Sequence, residues 1–228
     1  MNVEQAIRTR NSARAFQQRD VDPAIIRRVL DLSMMAPSGC NIQPYRIAVA
    51  SGGLWKEMSA RLVELASAEP NRHELPWSLD YPDRYRGRQR ETGFGLYRTL
   101  GITRDDRDRR KKQYFENFRG FGAPAAVFVF RDRDVGEYAS LDLGIWMQTF
   151  MLAAHASGLS TVAQTSLVAY PEVVRRYFDV PEYMSLVCAV SFGYQDESAA
   201  VNSYRPSRAG VDEIMLERRE NQERPVIG

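Results

Sequence analysis

Apolar side chains along this chain switch between two spacings, every second residue and every third or fourth, and the switches outline the elements. Behind Asn2, residues 3–7 read as a short helix. Residues 10–16 (RNSARAF) read as extended, which points Arg10, Ser12 and Arg14, two apart, to one side. Asp22 before Pro23 is a helix start, because Asp caps and Pro at the first helical position gives up an N–H that has no partner there. Ile25, Ile26, Val29, Leu30 and Met34 continue the helical spacing until Pro37 ends it. Residues 38–43 form a loop between Pro37 and Pro44. The spacing then predicts a strand over 45–50, a helix over 54–68, and buried strands over 125–130, 159–164 and 185–192. Residues 138–157 predict a long helix, apolar nearly all round and ended by Gly158, which therefore needs cover on most faces from the core or from a second subunit. Residues 171–178 predict a short helix. From Ala199 the tail is polar and extended, with no core of its own.

The stretch from about 70 to 122 breaks this regularity. It is rich in Arg, Tyr, Trp, Phe and Pro, and only residues 104–118 read as helical. It is an excursion from the core of one domain spanning 1–228, of the kind that often covers a site.

Composition narrows the function classes. With 31 basic and 29 acidic side chains in 228 residues, the formal charge of +2 calls for neither nucleic acid nor an anionic membrane as partner. The most apolar stretch, 141–156, is short for a bilayer span and carries Asp142, Gln148 and His155. The start MNVEQAIRTR has no apolar core of a secretion signal. Two cysteines and two histidines, all far apart, lack metal-ligand spacing. These features point to a cytoplasmic chain with no structural metal.

Four segments can carry chemistry. Arg10-x-Ser12-x-Arg14 offers two forked cations and a hydroxyl to a phosphate, although a solvated edge strand has the same pattern. Pro37-Ser38-Gly39-Cys40-Asn41-Ile42-Gln43-Pro44 is a loop stiffened by two prolines, with amides suited to the edge of a flat heterocycle; a polar turn would also fit. Gly158 to Ser166 holds a strand end with Ala163, Gln164, Thr165 and Ser166, where backbone groups meet solvent. Asn202-Ser203-Tyr204-Arg205-Pro206-Ser207-Arg208 adds two cations, or is a solvated tail. No strand–GxGxxG–helix unit and no phosphate loop are present.

In order and spacing, these segments resemble the nitroreductase family. RTRNSARAF is similar to its N-terminal signature, and MAPSGCNIQPYRIAV to its loop-and-strand signature. GLSTVAQTSL, FDVPEYMSLVCAVSFGYQDE and VNSYRPSRAGVDEIM are similar to its C-terminal half. GFGLYRTLGITRDDRDRR and NFRGFGAP resemble the nitrobenzoate-reductase-like branch. The resemblance implies an α+β fold with a mainly antiparallel sheet flanked by helices. It also implies an intertwined homodimer, with the 138–157 helix at the interface and the C-terminal tail exchanged as an edge strand.

It further implies FMN at the dimer interface, with NADPH or NADH as hydride donor and small aromatic, nitroaromatic acceptors. Arg10, Asn11, Ser12, Arg14, Arg205 and Arg208 would hold the phosphate, the ribityl chain and the N1 side. Pro37, Ser38, Gly39, Asn41 and Gln43 would come from the other subunit. Ala163, Gln164, Thr165 and Ser166 would line the ring, with the Thr165 N–H near N5 and Arg10 near N1 as the two catalytic contacts. Many family members carry an acidic residue and Gly where this chain has Thr165-Ser166. Asn117 or Arg119 are further candidates. Trp77, Tyr81, Tyr85, Phe94, Tyr97, Phe118 and Phe121 would form an aromatic lid, and Arg84, Arg86, Arg88 and Arg90 either bind an acceptor carboxylate or form a solvated face. A related flavin reductase acting on enones or quinones, a dehalogenase, and a flavin-binding module without turnover remain open on sequence alone.

Overall fold

The computed structural model describes residues 1–216. Four strands, β1 (Tyr45–Ser51), β2 (Ala125–Asp132), β3 (Ser160–Gln164) and β4 (Met184–Gly193), form one sheet in the order β1-β2-β4-β3. Every pair is antiparallel, with a register irregularity between Val129 and Phe130. Strand β2 is central, and its two-residue alternation divides the core. Ala126, Phe128 and Phe130 face one layer, packed with Trp55, Met58 and Leu62 of α3 (Gly52–Ala68) and Val173 and Val174 of α7 (Pro171–Tyr177). Val127 and Val129 face the other, against Val29 of α2 (Pro23–Ser33) and Trp146 and Phe150 of α6 (Tyr138–Ala156). The chain is thus an α+β fold with helices on both faces of an antiparallel sheet.

The local signals explain most boundaries. Helix α1 (Val3–Thr9) is closed by a reciprocal capping box, in which Asn2 accepts from the Gln5 N–H and Gln5 accepts from the Asn2 N–H. Asp22 accepts from the Ala24 N–H, and Pro23 opens α2. Helix α6 buries one face through Leu143, Trp146, Phe150 and Ala154, but leaves Tyr138 84% and Leu141 60% exposed on the other. An apolar helix is therefore covered on one side only by its own chain.

The excursion differs from its sequence reading in one respect. Besides α5 (Arg107–Glu116), it contains a second helix of similar weight, α4 (Asp83–Thr99). Its arginines and its glycines at 87, 93 and 95 erase the apolar stripe by which such helices are read. Tertiary contact supplies what periodicity lacks: a Cβ on Gly95 would sit 2.5 Å from the ring of Tyr204, so glycine there admits a close approach. The start of the excursion is anchored by Glu74, which accepts from Arg175 at 2.9 Å and from the Leu186 N–H at 2.6 Å.

The N-terminal segment is fastened along the outer side of β3. Ser12 bridges Thr161, and the Ala13 N–H donates to the Thr161 carbonyl. Buried Asn202 completes this clasp: its Oδ1 accepts from the Arg14 N–H at 2.7 Å, and its Nδ2 donates to Ala15 and Asp196 carbonyls at 2.8 and 2.9 Å. One side chain thereby joins residues 14–15 to the C-terminal segment. Asn202→Ala removes three hydrogen bonds and leaves the Arg14 N–H without its partner, while the Ala15 and Asp196 carbonyls keep bonds from the Asp196 and Ala199 N–H groups; the expected loss in urea unfolding is about 2 kcal/mol. A variant within about 0.5 kcal/mol of the parent contradicts this role.

Candidate functional site

The alternation of residues 10–14 sets the site. Asn11 and Ala13 point inward and are buried, while Arg10, Ser12 and Arg14 stay partly exposed on the other side. The Asn11 amide donates to Gln195 Oε1 at 3.2 Å, so this expected ligand-binding side chain is engaged within the fold. Arg10 stands close enough to Arg208 and His155 for their charges to be felt. Burial, and then Arg208, lower the Arg10 pKa, and burial lowers that of Arg14. Arg205 Nη1 donates to the Asn202 carbonyl at 2.6 Å, and Arg208 Nη1 to the Pro206 and Ser207 carbonyls at 3.1 and 2.9 Å. Among the described residues no carboxylate pairs with Arg10, Arg14, Arg205 or Arg208, whereas Arg8 nearby pairs with Glu4. Partly desolvated like charges without an acid are costly alone, and this is the arrangement of an anion site.

Arg14 also lines a cleft of about 300 Å³ together with Val162, Ala163, Gln164, Thr165 and Ser166. Ala163 and Thr165 are exposed to it. Gln164 is turned inward: its Nε2 donates to the Asn117 carbonyl at 2.8 Å and its Oε1 accepts from Ser191 Oγ at 2.9 Å. It thus fixes the strand end. Asn117, Trp77, Phe118 and Phe121 line the cleft, but Phe118 and Phe121 are buried in its wall, so of the expected aromatic lid only Trp77 stands exposed there. Tyr81 and Tyr85 do not line it, and Arg119 pairs with Glu116 at 2.9 Å and faces a different hollow near Gln18 and Trp55. Phe121 reaches its place with φ of 57° between Gly120 and Gly122, both also left-handed. Three successive such residues bend the chain sharply and bury the ring against Ala13, Phe16 and Val162, behind the cleft wall.

His73 is the residue that the sequence did not announce. Its ring stacks on Trp77 at 4.8 Å between centroids, and its Nε2 lies 3.1 Å from the Thr165 carbonyl, so Nε2–H donates there. No motif surrounds it. It arrives because neighbouring Glu74 is tied to Arg175 and β4. Tyr114, Asn71 and Leu79 reach the cleft with it and carry no sequence signature either.

The loop 38–43 is built as sequence suggests and placed elsewhere. Ser38 Oγ accepts from the Gln43 N–H at 2.9 Å, the Gly39 N–H donates to Asp142 Oδ1 at 3.0 Å, and Gln43 Nε2 donates to the Asn41 carbonyl at 3.1 Å. Cys40, Asn41 and Gln43 all take left-handed φ, a concentration of strain that marks functional loops. Asp142 lies near the start of α6. Thr9, next to Arg10, contacts His155 near the end of the same helix at 2.8 Å. At 1.5 Å per residue the two ends are about 20 Å apart. Within one chain, Pro37 to Gln43 and Arg10 to Arg14 cannot touch one small group.

Among the described residues no cluster of three or more His, Cys, Asp or Glu is poised for a metal, and no helix is long and apolar enough to cross a membrane. Cys40 and Cys188 are both free thiols, and burial pushes the Cys188 pKa up to about 11.

The chain matches the family model described as "Nitroreductase family" over residues 7–194. It is 34% identical over 212 residues to nitroreductase NfnB of Mycolicibacterium smegmatis, covering 92% of this chain and 90% of that protein. It is 32% identical to a 4-nitrobenzoate reductase of Pseudomonas putida, covering 91% of each. The crystal structure of the FMN-dependent nitroreductase NfnB from Mycobacterium smegmatis in complex with NADPH superposes with a TM-score of 0.89 at 33% identity, over 95% of this chain and 97% of that one.

Burial lowers the His73 pKa, more than its bond to the Thr165 carbonyl raises it. The neutral ring is therefore favoured in the fold, and its stabilising contribution is present above the unfolded value near 6.5 and lost as pH falls through the folded one. An NMR titration of His73 should give a midpoint below 6.5, and a midpoint above it would contradict the environment described.

Proposed function

The chain belongs to the nitroreductase family, and from that premise we propose that it is an FMN-dependent NAD(P)H oxidoreductase that reduces nitroaromatic acceptors. The observation that carries the reading is the set of acid-free guanidiniums of Arg10, Arg14 and Arg208 beside a cleft of aromatic walls. These residues fit the group: the cations and Ser12 suit a phosphate monoester and a polyol chain, and the exposed backbone at Ala163 and Thr165 suits a flat heterocycle.

When bound, FMN supplies the hydride relay between NAD(P)H and the acceptor, which occupy one cleft in turn. The protein needs no nucleophile for this. Arg10, Ser12, Arg14, Arg205 and Arg208 would hold the phosphate, ribityl chain and N1 side, and their positive field favours the negative charge that reduction brings. Thr165 and Ser166 would face the ring through the backbone, with His73 holding the Thr165 carbonyl in place. Exposed Trp77 would stack planar acceptors, while the buried rings of Phe118 and Phe121 back the cleft wall and keep water out of it.

A homodimer is part of the proposal. It accounts for the uncovered face of α6, and it brings Pro37, Ser38, Gly39, Asn41 and Gln43 of a second copy toward the arginines that their own chain keeps about 20 Å away. Exchange of the tail is supported by the exposed apolar side chains of Val211, Ile214, Met215 and Leu216, the last 98% exposed. The expected continuation at 217–228 lies outside the described residues. A nicotinamide donor and two free thiols suit the cytoplasm.

Purified protein is expected to be yellow, dimeric in sedimentation, and bleached anaerobically by NADPH, with colour restored by 4-nitrobenzoate. A yellow protein bleached by neither nicotinamide would overturn the enzymatic reading. Arg10→Ala removes a charge-assisted contact and is expected to weaken FMN binding about tenfold or more, read by flavin fluorescence. Unchanged affinity would remove Arg10 from the site.

A further inference from the structure

Beyond the aromatic cleft lies a second, larger hollow of about 820 Å³, and Leu79 lines both. One wall is a single face of α4. Arg90, Phe94, Tyr97 and Arg98 stand four, three and one residues apart and so project to one side. The opposite wall carries Arg104 and Arg110. Phe94 is 61% exposed, and Arg110 lies over the Tyr97 ring at 5.2 Å while donating to the Arg104 carbonyl at 3.0 Å. The walls are tied together by Arg109, which donates to the Leu100 and Gly101 carbonyls at 2.8 Å.

The charge distribution is one-sided. No Asp or Glu lines this hollow, and among the described residues Arg90, Arg98, Arg104 and Arg110 have no ion pair. The other arginines at the start of α4 are engaged away from the hollow. Arg86 pairs with Asp80 and Asp83, Arg88 with Glu213, and Arg84 covers the Tyr85 ring. Glu91 turns away to accept from Ser207 at 2.9 Å. The carboxylate-binding reading of Arg84, Arg86, Arg88 and Arg90 therefore reduces to Arg90, joined by three arginines that sequence did not single out.

We propose that this hollow seats the adenosine 2′-phosphate end of NADPH and so selects NADPH over NADH, an assignment that rests on the proposed function. A planar base suits the faces of Phe94 and Tyr97, and a phosphate dianion suits several guanidiniums at once. Leu79 borders both hollows, so in the proposed pose one extended dinucleotide places its nicotinamide in the first cleft and its far end in the second. A one-ring acceptor is too short to fill both, and its single carboxylate leaves most of these cations unanswered.

The test is calorimetric titration of the flavin-loaded protein with adenosine 2′,5′-bisphosphate and with adenosine 5′-monophosphate, which differ only in the 2′-phosphate. The bisphosphate is expected to bind about tenfold tighter or more, and the Arg98→Ala/Arg104→Ala variant to lose that gap. In steady-state kinetics the same variant is expected to lower the NADPH-to-NADH ratio of kcat/KM by about tenfold. Equal binding of the two nucleotides, or a gap that survives in the variant, overturns the assignment. So does an unchanged NADPH-to-NADH ratio accompanied by a raised KM for 4-nitrobenzoate relative to nitrobenzene, which would give the hollow to the acceptor. The titration does not depend on flavin reduction, so failure of the proposed enzymatic cycle would show separately, as colour that NADPH does not bleach.

Discussion

Cations brought together without acids are the constraint around which this structure is arranged. Arg10 and Arg14 are partly desolvated, Arg208 adds to the charge at Arg10, and no described carboxylate relieves them. Such a group persists only where the surrounding fold holds it firmly. Here the Ser12–Thr161 bridge, the Ala13–Thr161 bond and the three bonds of Asn202 do so from two sides of the sheet edge. A bound phosphate would relieve the repulsion, as the proposed function requires, and would thereby couple ligand binding to the stability of the fold. Stability should therefore rise with ligand by simple mass action.

The second constraint is distance. The strained loop after Pro37 is fastened to Asp142 near one end of α6, and the arginine segment meets His155 near the other. A helix is a rigid spacer, so these two groups can serve one ligand only from different copies of the chain. The exposed apolar face between them is the surface such an arrangement would cover. Fold, site and assembly are in this sense a single geometric problem, with α6 as its ruler.

Much of this was legible in the residues. The strands announced themselves by β-branched and aromatic runs, α2 by Asp22-Pro23, and the arginine face by its two-residue spacing. Asn11 and Gln164 illustrate a limit: as polar residues inside motifs they read as ligand-binding, yet the fold turns both inward to satisfy buried partners. Helix α4 was illegible because its stabilising contacts, such as Tyr204 against Gly95, come from more than a hundred residues away in sequence. His73 was illegible for the same reason, since Glu74 and Arg175 bring it to Thr165. The acid-free arginines of the excursion were hidden among paired ones, and only ion-pair geometry separates Arg98 and Arg104 from Arg86 and Arg88.

The most direct measurement compares the binding of FMN and riboflavin to flavin-stripped protein by fluorescence titration at low and high salt. The ring and ribityl chain are shared, so the difference isolates the phosphate. If the guanidinium cluster is a phosphate seat, FMN should bind at least about a hundredfold tighter, and salt should narrow the gap. Equal affinities at both salt concentrations would mean that these arginines hold no phosphate.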